Sequence, residues 1–153
     1  MKPDTPMTQA DSIAHHVSTR AAVSADFAFA LLADATFVGN WSLGSMGLVP
    51  DGDGVYRGTS MFDGSDAFVE IRPYPALGLI DYAVGTRSAR SPRIAIRVTA
   101  GGPLGFDDKS CVITLSAFRA ASADDARWTR TRISHEAEIL LIKAQLETAW
   151  SAT

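Results

Sequence analysis

The stretch from Asp124 to about Trp150 limits what the whole chain can fold into. Trp128, Arg132, His135, Ile139, Ile142, Leu146 and Ala149 recur at alternating steps of four and three, the spacing that keeps side chains on one stripe of an α-helix. Such a helix is about 27 residues and roughly 40 Å long. The rest of the chain must then supply a surface that covers its apolar stripe. Arg127–Ile133 also alternates and is rich in weak helix formers, so an eighth strand competes for this segment. Capping side chains at Ser122 and Asp125, and the opposite-charge neighbours Arg132→Glu136 and Lys143→Glu147, favour the helix.

What precedes the helix reads as short strands. From His15 to Val23, Val17, Thr19, Ala21 and Val23 share one face, the period of a half-buried strand. Ser24 is a good N-cap for a first short helix, and Asp26 suits the positive end of its dipole. Asp34 caps a second short helix running to about Trp41 and ended by the Gly39 and Gly44 region. Turn signals then come at close intervals: Asp51-Gly-Asp-Gly54, Asp63-Gly-Ser-Asp66, Pro73-Tyr-Pro75, the polar loop Thr86–Pro92, and Gly101–Gly105. They separate strands near Ser45–Val49, Val55–Phe62, Ala67–Arg72, Leu79–Val84, Arg93–Ala100 and Ser110–Phe118. In the fifth of these, Ile94, Ile96 and Val98 face inward and Arg93, Ala95, Arg97 and Thr99 face water. The pattern predicts an α+β fold: a seven-stranded antiparallel sheet curved around the long C-terminal helix, with two short helices after the first strand.

A chain of 153 residues of this kind forms one domain and buries roughly 70% of its unfolded surface without staples. Residues 13–153 are expected to form it, with Met1–Ser12 as a flexible polar tail. Fourteen basic against 17 acidic residues, a net charge of −3, lack the basic footprint a nucleic-acid partner needs. No apolar run reads as a signal peptide or reaches membrane-spanning length. Cys111 is the only cysteine and sits mid-strand, so no intrachain disulfide forms. A buried thiol and a reducing, cytoplasmic location are expected. Arg87, Arg90, Arg93 and Arg97 crowd together, either as a solvated face or as a patch for an anion or a partner.

The order strand, two short helices, six-strand meander and long helix resembles the START-like SRPBCC superfamily, which includes polyketide cyclase/dehydrase and lipid-transfer-type proteins. The resemblance spans Ile13 to Trp150. Its local marks are Ser24-Ala-Asp-Phe27 opening the first helix, Asp34 with Trp41 seven residues on, and the closing helix. These marks are topological rather than catalytic. The resemblance implies a helix-grip fold with a ligand cavity between sheet and helix, and places the region of Trp41 at the cavity mouth.

His135 is the most informative polar residue on the stripe, falling between Trp128 and Ile139. Either it is a core histidine hydrogen-bonded to a strand or a buried water, or it is a polar group in an apolar pocket that orients a ligand or moves a proton. As an acid/base it would serve enolisation, aldol cyclisation or dehydration, which need only proton transfer. Tyr82 is expected to point inward and Asp81 outward; its hydroxyl either meets a ligand carbonyl or is satisfied within the core. Arg57 and Glu70 sit mid-strand as a buried pair or as exposed groups.

Other patterns fail specific tests. His135-Glu136-Ala-Glu138-Ile139 lacks the second histidine of a zinc protease, and His135 with Glu138 would need a distant third ligand such as His15 or His16. Asp51–Gly54 lacks the distal carboxylate of a calcium loop, Phe62 standing in its place. Gly44-Ser-Met-Gly47 is not a nucleophile elbow, and no helix start follows Gly101–Gly105 to make a phosphate loop. No metal and no cofactor is therefore assigned. The leading expectation is a small hydrophobic ligand held by Trp41, Tyr82, His135, Ile139 and Ile142. Two alternatives stay open: a cyclase or dehydratase using His135 on a polyketide-like or other small carbonyl substrate, and an interaction module contacting another protein or a second copy, as a homodimer, through the Arg87–Arg93 loop or a sheet edge.

Overall fold

The computed structural model describes residues 13–153; the tail expected over Met1–Ser12 lies outside them. In chain order the elements are β1 (Ala14–Ala21), α1 (Ala25–Leu32), α2 (Ala35–Val38), β2 (Met46–Pro50), β3 (Tyr56–Thr59), β4 (Asp66–Tyr74), β5 (Leu79–Gly85), β6 (Arg90–Ala100), β7 (Cys111–Phe118) and α3 (Asp125–Ser151). The strands form one seven-stranded sheet, ordered β1-β7-β6-β5-β4-β3-β2. β2 to β7 are a meander of antiparallel neighbours, and β1 closes the far side by pairing with β7 from Ala14↔Phe118 to Ala21↔Cys111. This is the helix-grip architecture expected from the sequence.

The two short helices are set by their caps. Ser24 Oγ accepts from the Phe27 amide at 3.3 Å, and Asp34 Oδ1 accepts from the Thr36 amide at 3.4 Å. α2 stops at Val38, short of the expected Trp41, and the chain turns back through Gly39. A Cβ on Gly39 would lie 2.6 Å from the Leu48 nitrogen, so glycine is what lets α2 sit against β2.

α3 spans 27 residues, which removes the eighth-strand alternative. Its N-cap is Asp124, not Ser122 or Asp125: Asp124 Oδ1 accepts from the Arg127 amide at 2.8 Å. Lys143 meets Glu147 at 3.1 Å as the spacing predicts. Arg132 does not meet Glu136; it reaches back to Thr129 Oγ1, while Glu136 lies 3.8 Å from His15 Nε2 across on β1.

Four strand limits differ from expectation by more than one residue; β1 ends at Ala21, not Val23. β3 is only Tyr56–Thr59, not Val55–Phe62. β4 continues through Pro73 to Tyr74; β3 pairs only with Asp66–Val69, so Pro73 lies where β4 has no neighbour on that side and needs no amide for it. β6 begins at Arg90, paired with Gly85, so part of the expected loop is strand. Arg57 and Glu70 are not partners. Arg57 approaches Asp51 at 3.6 Å, whereas Glu70 takes Arg90 and Arg72. Arg87 binds Asp51 and Asp53 at 2.9 and 3.1 Å. Two arginines of the crowded run are thus engaged inside the fold.

The core lies where the C-terminal half of α3 meets β1, β7 and α1. Ile139, Ile142 and Leu146 pack there with Leu32, Ile113 and Leu115, all buried. Cys111 is fully buried, and burial pushes its thiol up to about 11, which leaves it an unreactive hydrophobe at neutral pH. No helix among the described residues is long and apolar enough to cross a membrane.

Candidate ligand-binding cavity

The N-terminal half of α3 does a different job from the C-terminal half. Here the sheet curls away, and a cavity of about 850 Å³ opens between the helix, α2 and strands β4 to β6, with the β3–β4 loop at its side, a size typical of small-molecule sites. The helix presents Arg127, Thr131, Ser134 and Glu138 to it, with His135 at the border. That set is itself a helical stripe, offset by about 100° from Trp128–Arg132–His135–Ile139. The apolar stripe faces the core; the polar one beside it faces the cavity. Spacing alone could have revealed it, but apolar periodicity is the stronger signal and hid it.

Trp41, Tyr82 and His135 all line the cavity. Ile139 and Ile142 do not; they are buried beyond its inner end, in the core. Trp41 is 2% exposed, part of the wall rather than the rim, and meets Tyr82 edge to face at 6.2 Å between ring centroids. The Tyr82 hydroxyl donates to the Leu32 carbonyl at 2.5 Å, so its proton is already used to tie β5 to the end of α1. Asp81 is half-buried on the opposite face of β5.

The electrostatics centre on His135 and Glu138, one helical turn apart and both at most 5% exposed. Burial lowers the His135 imidazole to about 4, with the His15 charge a smaller cause. Burial raises the Glu138 carboxyl to about 8, partly offset by the Leu43 amide that donates to Oε1 at 3.2 Å. Near pH 7 the pair is therefore a neutral imidazole beside a protonated acid. His135 Nε2 and Glu138 Oε2 are 3.9 Å apart, beyond direct hydrogen-bond reach. His135 Nδ1 and the Trp41 indole nitrogen are buried without a partner, an uncommon state that calls for an explanation. Among the described residues no group of three or more His, Cys, Asp and Glu is placed to hold a metal ion.

A second feature escaped the sequence pattern. Between Tyr82↔Ile94 and Val84↔Ser91 the register of β5 and β6 slips by one residue, a β-bulge containing Pro92 and Arg93. Bulges re-aim side chains. Arg93, expected on the wet face opposite Ile94, instead lines the cavity together with Ile94. Pro92, which cannot donate to the ladder, was the available signal.

The chain has the helix-grip fold of START-like SRPBCC proteins. Among solved structures it is similar to the ZhuI aromatase/cyclase from Streptomyces sp. R1128, at 17% identity and TM-score 0.61 over 88% of this chain and 94% of that one. It also matches the di-domain aromatase/cyclase BexL of the BE-7585A biosynthetic pathway, at 15% identity and TM-score 0.63 over 88% of this chain and 46% of that one. A START superfamily protein from Mycobacterium smegmatis is similar at 11% identity and TM-score 0.55, over 91% and 97% of the two chains. At these identities the likeness is one of fold. No protein-family model and no curated protein matches the chain by sequence.

Proposed function

We propose that the protein binds a small, largely apolar molecule carrying a hydrogen-bonding group, in the cavity between the sheet and the N-terminal half of α3. The observation that carries this reading is the cavity itself, about 850 Å³ and lined by apolar Val38, Trp41, Val69 and Val84 together with Ser60 and Ser134. Apolar ligand surface buried there contributes roughly 25 cal/mol per Å², and the serine hydroxyls offer partners for the ligand's polar group. The aromatase/cyclase and START superfamily names among the structural neighbours are in keeping with it. Titration with the neutral fluorophore 1-pyrenebutanol is expected to give saturable one-to-one binding. Ala67→Trp places an indole in the cavity from β4, beside Val69 on the concave face, and is expected to abolish that binding while the far-ultraviolet circular dichroism is unchanged. Equal binding by both proteins would refute the cavity reading.

A second reading is supported by the neutral His135 beside the protonated Glu138. An imidazole that can accept a proton and an acid that can donate one, both near neutral pH, suit enolisation, aldol closure or dehydration of a carbonyl substrate. Against a panel of small β-ketoacyl thioesters, His135→Ala is expected to lower any turnover about 10²-fold or more. Turnover unchanged in that variant would remove His135 from the chemistry.

A further inference from the structure

Where α3 begins, two guanidinium groups stand at the cavity mouth with no ion-pair partner among the described residues. Arg93 is turned inward by the β6 bulge and Arg127 projects from the first turn of α3; both line the main cavity and also an adjoining hollow of about 310 Å³. The other arginines nearby are occupied: Arg90 by Glu70, Arg87 by Asp51 and Asp53, and Arg130 stacks over Phe62 at 4.8 Å from the ring centre. Of the carboxylates at the mouth, none pairs with either arginine: Asp66 makes no ion pair among the described residues, and the other two are committed elsewhere. Asp124 caps α3, and Asp63 accepts from the Ser65 amide and hydroxyl. Neither Arg93 nor Arg127 has a hydrogen-bond or ion-pair partner for its side chain among the described residues. Arg93 is half-buried, and burial together with the Arg127 charge disfavours its protonated form. Arg127 is exposed, so the cost falls on Arg93: a half-buried cation beside a like charge is unfavourable unless an anion joins them.

We infer that Arg93 and Arg127 form an anion-recognition subsite at the cavity mouth, and that the ligand is an amphiphilic carboxylate whose apolar body enters the cavity while its head rests between the two guanidinium groups. Planar guanidinium forks match a carboxylate's two oxygens. The inner walls, with Val38, Trp41, Val69 and Val84, take the apolar part. This inference rests on the cavity reading above and adds the charge and position of the ligand's head group.

The test compares 1-pyrenebutyrate with 1-pyrenebutanol, which share one apolar body and differ in the head. Wild-type protein is expected to prefer the carboxylate about tenfold or more, the usual return of a charge-assisted hydrogen bond. Arg93→Ala and Arg127→Ala are each expected to weaken pyrenebutyrate about tenfold, with pyrenebutanol affinity held within about twofold as evidence of an intact cavity. Arg97→Ala removes an equal charge from an exposed position outside the cavity and is expected to change neither. Pyrenebutanol binding without carboxylate preference, equal losses for both probes, or an Arg97→Ala loss as large as the others would overturn the anion subsite and leave the cavity reading standing. Pyrenebutyrate binding that depends on Arg93 and Arg127, with no pyrenebutanol binding at all, would support the subsite and overturn the apolar cavity.

Discussion

Glu138→Gln should raise the stability of the folded protein by about 4 kcal/mol at pH 8 relative to its effect at pH 4. The folded carboxyl titrates at about 8 and the ordinary value is 4.5, so between those limits the native state holds a proton that the unfolded state has lost. Stability from this group is therefore complete below pH 4.5 and declines as pH rises toward 8. His135 acts in the opposite sense over a lower window. Its folded value of about 4 lies below 6.5, so between these limits the unfolded state binds the extra proton and stability rises with pH. His15, also lowered by burial, adds to that rise. In the wild type the opposing slopes largely cancel between pH 4.5 and 6.5. Above 6.5 Glu138 acts alone, and about 2 kcal/mol is lost by pH 8. Glu138→Gln keeps the neutral hydrogen-bonding shape and removes the titration, so its profile should climb to pH 6.5 and then stay level. Urea unfolding at half-unit pH steps measures both curves. Parallel profiles for the two proteins would mean that the Glu138 carboxyl titrates alike in the folded and unfolded states, and the protonated acid beside His135 would have to be given up.

Ile142→Ala separates core from cavity. Ile142 is fully buried and packs with the core behind the cavity's inner end, so truncation removes apolar burial and leaves a void, a loss of about 2–5 kcal/mol. Because Ile142 does not line the cavity, the affinity of the remaining folded protein for 1-pyrenebutanol should stay within about twofold of wild type. Denaturant unfolding and a binding titration below the transition give the two quantities. A marked loss of affinity with little loss of stability would restore Ile142 to the ligand-contacting set expected from the stripe.

The contrast between these two residues shows what was legible in advance. Ile142 lies on a stripe whose period announces a buried helix face, and it is buried. Glu138 lies one position off that stripe, where periodicity predicts a solvated carboxylate, yet it is 4% exposed. The helix has its second wet-looking face turned toward a cavity rather than toward bulk water, and a one-dimensional pattern does not distinguish the two. Arg93 shows a related limit. Strict alternation sent it outward, and a single-residue slip against β5 sent it in. Tyr82 was correctly expected to face inward, but the carbonyl that takes its hydroxyl proton belongs to Leu32, fifty positions away.

The sequence by itself determined the element order, the two capped helices, the length of α3, the antiparallel meander and hence the helix-grip fold, because those follow from local periods and turn chemistry that act over a few residues. Only the tertiary structure decided that α3 is core in its C-terminal half and cavity wall in its N-terminal half. That division depends on how far the sheet curls away from the helix, a sum of twist over seven strands and of the register slips in the β2–β3 and β5–β6 pairs. The burial of His135 and Glu138, and so their shifted protonation, follows from that curvature.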